Sequence, residues 1–335
     1  MSEPGNMKKI VSFFGEPSDI FDELNRRAEK HAAEKSIRYK WAPQIPYDQA
    51  NVIELLQESD AGIIDIEPYG SEVFSKIHDS TKLLVRFGVG YDKVDLEAAA
   101  KYGIAVARTT GANTLGVAEM ALSLILAARR KFNINQKCVA EGKWAKNVAN
   151  ETIQSTVGII GFGPIGQAFA NLIKGFDCRI VAYDPYVGED VMVQKGVEYT
   201  ELEELFRISD AISIHVPYTE KTHMMVNEKM LSLMKPNAVI VNTARGNVID
   251  EQALYDVLSS GKIGGAGLDV FASEPLSLDS PLHGLDNIIL TPHVSSQTVE
   301  SLWRIYEMAI DIAADFFSGK DSPHILNPDY KQNVK

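Results

Sequence analysis

Cysteine is nearly absent: Cys138 and Cys178 are the only two in 335 residues, forty apart, with no CxxC or Cys/His spacing. That argues against a disulfide framework and against a zinc ligand set, so no metal is expected. Long hydrophobic runs are missing too. The most apolar stretch, Leu115 to Ala128, carries Glu119 and falls short of the roughly 20 residues needed to cross a bilayer, so it reads as a buried helix. Positive charge is in deficit, with 33 Lys and Arg against 45 Asp and Glu. A net charge of -12 repels phosphate backbones and anionic lipid, so neither nucleic acid nor a membrane is an expected partner. The opening MSEPGNMKKI lacks the cationic start and apolar run of a secretory signal, which makes the cytoplasm the expected location. Repeats and low-complexity segments are also lacking.

What is present is a globular composition, 45% hydrophobic, in a chain long enough for two domains. From Met7 short apolar runs alternate with amphipathic stretches: KKIVSFF, IFDELNRRAEKHAAE, IRYKW, DQANVIELLQ, AGIIDI, then KLLVRF, VDLEAAAKY and IAVA. Such alternation predicts successive βα units around a parallel sheet. Lys131 to Ser155 is polar and shows no clear periodicity. A second series of strands then begins with TVGIIG and continues through CRIVAY, AISIHV, AVIVNT, GAGLDV and NIILT, with helices such as IGQAFANLIKGF and EQALYDVLSS between them. Six strands so joined make a second doubly wound sheet. The amphipathic SLWRIYEMAIDIAADFF near the end predicts one long helix that returns to pack on the first domain.

Gly161, Gly163, Pro164, Ile165 and Gly166 belong to GFGPIG, which follows the strand TVGII and opens a helix. The three glycines allow a tight turn, a close backbone approach to a pyrophosphate, and close helix–strand packing. The helix N-terminus favours the phosphate charge. Asp184 ends CRIVAY, where a carboxylate accepts hydrogen bonds from a ribose 2′-hydroxyl and repels a 2′-phosphate. Pro185 and Tyr186 supply no cation, so the pattern predicts NAD rather than NADP.

Three further strands end in polar residues that a packed core does not require: Arg245 after AVIVNT, Glu274 after GAGLDV and His293 after NIILT. Ligands of open α/β sheets bind beyond the carboxyl ends of the strands, so all three are expected at the crevice of the glycine turn. Hydride removal from an alcohol leaves a proton, and His293 is the natural base for it. Glu274 fixes the imidazole tautomer and favours its charged form. Arg245 presents a planar fork for a carboxylate and polarises a carbonyl oxygen.

Through GFGPIG, YDP, HVP, NTARGNVIDEQAL, GAGLDVFASEP and TPHVSS, nearly the whole chain resembles the D-isomer-specific 2-hydroxyacid dehydrogenase family. The resemblance implies a flavodoxin-like substrate domain, residues 1–112 with 298–335, and a Rossmann NAD-binding domain, 113–297. It implies that Arg245, Glu274 and His293 are the catalytic trio. Cofactor contacts are implied at Thr109, Pro164, Ile165, Asp184, Val216, Pro217, Thr243, Ala244, Arg245, Asp269 and His293 through Ser295 and Ser296. RFGVGYD looks like the substrate loop, in which the backbone N–H groups of Val89 and Gly90 bind the substrate carboxylate. A homodimer across Leu115 to Ala128 is also implied; burial of that helix between the two domains is the alternative.

Among family branches the loop is closest to D-3-phosphoglycerate dehydrogenases, whose arginine matching Arg86 helps hold the phosphate. That reading makes D-3-phosphoglycerate the expected substrate and serine biosynthesis the expected setting. The alternative for Arg86 is an ion pair within the fold. Arg108 replaces a residue that is usually Asn in that branch, and the chain ends near residue 335, so serine feedback through a C-terminal regulatory domain is not expected. The other readings are a glyoxylate or hydroxypyruvate reductase with the same trio and, in a different class, an NAD-sensing corepressor scaffold.

Overall fold

The computed structural model describes residues 7–333, which divide into two compact α/β units. One runs from Met7 to Asn113 and resumes at Thr298, and the other is Thr114–Gln297. In the first unit the strands are β1 (Lys8–Ser12), β2 (Ile37–Trp41), β3 (Ala61–Ile64), β4 (Leu83–Arg86) and β5 (Ala105–Arg108). All pair in parallel in the order β2-β1-β3-β4-β5, the flavodoxin-like arrangement. Successive strand residues face opposite sides, so Ile10 enters one core and Val11 the other. On Ile10's side the sheet buries Ile63 and Val85 with Ala28 of helix Asp19–Glu34 and Ile305, Tyr306 and Ile310 of helix Val299–Phe317. The long helix returns to this unit because its apolar stripe has this sheet face to cover.

The second unit holds seven parallel strands: β6 (Thr156–Ile160), β7 (Arg179–Tyr183), β8 (Glu198–Tyr199), β9 (Ala211–Ile214), β10 (Val239–Asn242), β11 (Gly265–Leu268) and β12 (Ile288–Leu290). Their order, β12-β11-β10-β9-β6-β7-β8, is that of a Rossmann fold with one strand added beyond the usual six. The reversal of direction lies between β6 and β9, and the glycine turn follows β6. Helices Thr114–Arg129 and Pro164–Ile173 cover one face through Ala121, Ile125, Phe169 and Ile173.

Two features differ from the sequence reading. The two-residue strand β8 was too short to show an alternation. The stretch without periodicity contains helix Phe132–Ala140, where only Cys138 is buried, so no apolar stripe marks it. No helix among the described residues is long and apolar enough to cross a membrane.

Candidate active site

The glycine turn is built by backbone proximity. A Cβ on Gly166 would sit 2.2 Å from the Gly161 carbonyl oxygen, so only glycine lets helix Pro164–Ile173 start this close to β6. Gly161 itself has φ +93° and lies against the His215 backbone. A Cβ on Gly163 would meet nothing within 4 Å, and no side chain caps the helix that begins there, with Pro164 first and Ile165 second. An open cradle in front of uncapped amides suits a pyrophosphate.

Asp184 accepts the Phe162 N–H at 2.8 Å through one oxygen and the Tyr186 N–H at 2.8 Å through the other, which fixes it beside the turn. Val216 is buried after β9, and exposed Pro217 follows it. Buried Thr243, just beyond β10, has a hydroxyl without a hydrogen-bond partner among the described residues, a polar atom that a ligand would satisfy. These residues fit a dinucleotide.

Arg245, Glu274 and His293 follow β10, β11 and β12 in the same unit. Asn242, at the end of β10, shapes the first loop by accepting the Ala244 N–H at 3.0 Å and donating to the Arg245 carbonyl at 2.9 Å. At Gly246 an added Cβ would lie 1.8 Å from the Phe271 carbonyl carbon. The Arg245 turn therefore packs backbone to backbone against the segment that leads into Glu274. Glu274 accepts the Phe271 N–H at 3.0 Å with Oε1 and meets His293 Nδ1 at 2.8 Å with Oε2.

Burial works against the Glu274 charge, yet the hydrogen bond and charge of His293, the Phe271 N–H and the Arg245 charge outweigh it and hold the carboxyl below its usual range. With Nδ1 engaged, Nε2 is the ring atom left for a substrate. The arrangement can hold an anion at a guanidinium and pass a proton at an imidazole.

Asp269 is fully buried directly after β11 and takes hydrogen bonds from the loop that carries His293, including buried Ser295. Half-buried Ser296 closes that loop. The Thr291 hydroxyl donates to Asp269 at 2.6 Å. Sequence reading passed over Asn242 and Thr291, although each is a polar residue at or just past the end of an apolar strand.

In the other unit, Arg86 and Arg108 are register partners at the ends of β4 and β5. Arg86 is 8% exposed, donates to the Phe87 carbonyl and lies 3.5 Å from the Asp65 carboxylate. Thr109 is buried, and its hydroxyl accepts the Gly88 N–H at 2.9 Å, tying the glycine loop down. Half-buried Val89 and Gly90 extend from that anchor. The Arg108 guanidinium lies 3.5 Å from the Val89 carbonyl and 5.2 Å from the centre of the Tyr91 ring.

Known proteins resemble this chain over most of its length. Residues 122–295 match the model of the D-isomer specific 2-hydroxyacid dehydrogenase NAD-binding domain. A glyoxylate reductase of Korarchaeum cryptofilum is 38% identical over 86% of this chain and 88% of its own. A D-3-phosphoglycerate dehydrogenase of Synechocystis is 36% identical over 79% of this chain but 48% of its own. The solved structure of a D-2-hydroxyisocaproate dehydrogenase superimposes with a TM-score of 0.85 at 29% identity, covering 96% of this chain and all of that one. The chain therefore belongs to the D-isomer specific 2-hydroxyacid dehydrogenase family and is an NAD-dependent oxidoreductase.

Proposed function

We propose that the chain reduces a short 2-keto acid, glyoxylate or hydroxypyruvate, to the D-2-hydroxy acid and runs the reverse oxidation, with Arg245, Glu274 and His293 as its catalytic residues. The observation that carries this reading is the 2.8 Å contact between His293 Nδ1 and Glu274. In reduction, protonated His293 donates from Nε2 to the oxygen on C2. In oxidation, neutral His293 takes that proton back. Glu274 holds the ring in the required tautomer and stabilises the charged form. Arg245 holds the substrate carboxylate and draws electron density toward the C2 oxygen. Bound NAD supplies the hydride carrier. The cradle of Gly161, Gly163, Pro164, Ile165 and Gly166, together with Asp184 and Thr243, would hold it.

The choice of a short acid rests on Arg86. Its pairing with Asp65 offsets the charge expected to hold a phosphate, and the Korarchaeum relative, matched over most of both chains, is a glyoxylate reductase. The second reading is D-3-phosphoglycerate, which Arg108 favours. That guanidinium flanks the loop, lies over the Tyr91 ring at 5.2 Å, and has no carboxylate partner among the described residues. Initial rates with glyoxylate, hydroxypyruvate and phosphohydroxypyruvate separate the two. A kcat/KM for phosphohydroxypyruvate well above the others would replace the first reading by the second.

We also propose a homodimer through the Thr114–Gln297 unit, because helix Phe132–Ala140 leaves Phe132 63% exposed beside Leu126 and Ala127 on an open hollow of about 570 Å³. Sedimentation equilibrium of the wild type and Phe132→Glu tests it. A cytoplasmic location is proposed on the two free cysteines.

A further inference from the structure

The geometry points to Asp269 as the positioning residue that sets the His293 loop. This inference rests on the catalytic reading of His293 and assigns Asp269 a task in place of the cofactor contact expected of it. Its carboxylate is wholly inaccessible to solvent, and no cation pairs with it among the described residues. Four donors from one short segment surround it instead. Thr291 Oγ1 at 2.6 Å and the Val294 N–H at 2.9 Å meet Oδ1, while the Ser295 N–H at 2.9 Å and the Ser295 hydroxyl meet Oδ2. The Asp269 carbonyl also accepts the His293 N–H at 2.9 Å. Three consecutive backbone N–H groups, from His293 to Ser295, thus converge on one residue.

Such convergence bends the chain inward, and His293 adopts φ +53°, a left-handed conformation that a residue with a β-carbon rarely adopts. Charge-assisted bonds to a buried carboxylate are the interactions strong enough to hold it. The same bend presents the ring to Glu274. Asp269 is in turn anchored to the sheet, its N–H donating to the Asn242 carbonyl at 3.0 Å. The loop that carries the acid–base group and the strand that leads to Arg245 are therefore registered against each other through this residue.

Asp269→Asn tests the assignment. The amide keeps the shape but turns a donor toward one pair of donors. Hydroxyls can rotate to accept, whereas the Val294 or Ser295 N–H cannot, so one buried backbone donor loses its partner. Expected is a fall of about 5- to 150-fold in kcat, the scale of one unsatisfied buried group, with the NADH dissociation constant within about twofold by fluorescence titration. In the background of His293→Ala the same substitution should add almost nothing, because it acts through a residue already removed. Thr291→Val, nearly isosteric, serves if Asp269→Asn fails to fold, with a smaller fall and the same non-additivity. Losses that multiply with His293→Ala, or that appear in NADH affinity instead of kcat, would overturn the assignment. Failure of the parent reading looks different: His293→Ala would then leave turnover unchanged by itself.

Discussion

Replacing Glu274 by Gln removes a charge and leaves the volume nearly constant. The wild-type carboxylate uses Oε1 for the Phe271 N–H and Oε2 for His293 Nδ1. A primary amide has one acceptor and one donor end, so one bond is lost in either orientation. With the amide nitrogen toward His293, neutral imidazole is driven to the tautomer protonated at Nε2, which cannot act as base. With the oxygen toward His293, the amide nitrogen confronts the Phe271 N–H and the imidazolium loses its counter-charge. A hydrogen bond to a charged group is worth about 1.5–3 kcal/mol. The side chains of His293 and Glu274 are 41% and 31% exposed, so solvent screening places the loss near the lower end, about 1.5–2 kcal/mol or a 10- to 30-fold fall in kcat.

The deficit should appear in both directions, because the imidazole loses its counter-charge in reduction and its required tautomer in oxidation. Stopped-flow single turnovers at 340 nm in both directions read this without interference from product release. Glu274 is held below its ordinary value of 4.5, so its support is present above that value and is lost only as pH falls through the lowered one. A Gln variant with wild-type single-turnover rates in both directions would refute the argument.

Other expectations can be measured separately. Gly166→Ala, whose Cβ would meet a backbone oxygen at 2.2 Å, should weaken NADH binding at least about tenfold and cost about 1–3 kcal/mol of stability, read by fluorescence titration and urea melts; wild-type affinity would dispute the close packing. Asp184→Ala should raise kcat/KM with NADPH relative to NADH, and an unchanged ratio would remove Asp184 from cofactor choice. Arg86→Leu leaves Asp65 without this partner and should lower activity on every keto acid alike; a loss confined to phosphohydroxypyruvate would restore the phosphate role. Burial pushes His215 down to about 3 from 6.5. Its unfolded form binds a proton below pH 6.5 and the folded form does not, so stability should fall as pH drops from 6.5 toward 3, by up to about 1.4 kcal/mol per unit. His215→Asn should flatten that slope in thermal melts.

How much of this was legible beforehand follows from physical signals of differing strength. The strands KKIVSFF, KLLVRF and TVGII announce themselves because both faces of the sheet are buried there and leave short, mostly apolar runs. Gly161 to Gly166 declares a turn through residue types that only a close backbone approach requires. Helix Phe132–Ala140 was invisible because it buries one residue. Arg86 was read through the family loop as a phosphate contact with an ion pair as the alternative, and its pairing with Asp65 depends on two strands adjacent in space, 21 residues apart in sequence. For Asp269 the family resemblance implied a cofactor contact. That its oxygens gather the Thr291 to Ser295 loop needs the parallel pairing of β11 with β12, which no local pattern reveals.

The most direct test of the central claim is the single-turnover rate of keto-acid reduction by His293→Ala beside its NADH dissociation constant. The account predicts a fall of roughly 100-fold or more in the rate with NADH binding unchanged within about twofold. Wild-type turnover in that variant would contradict it.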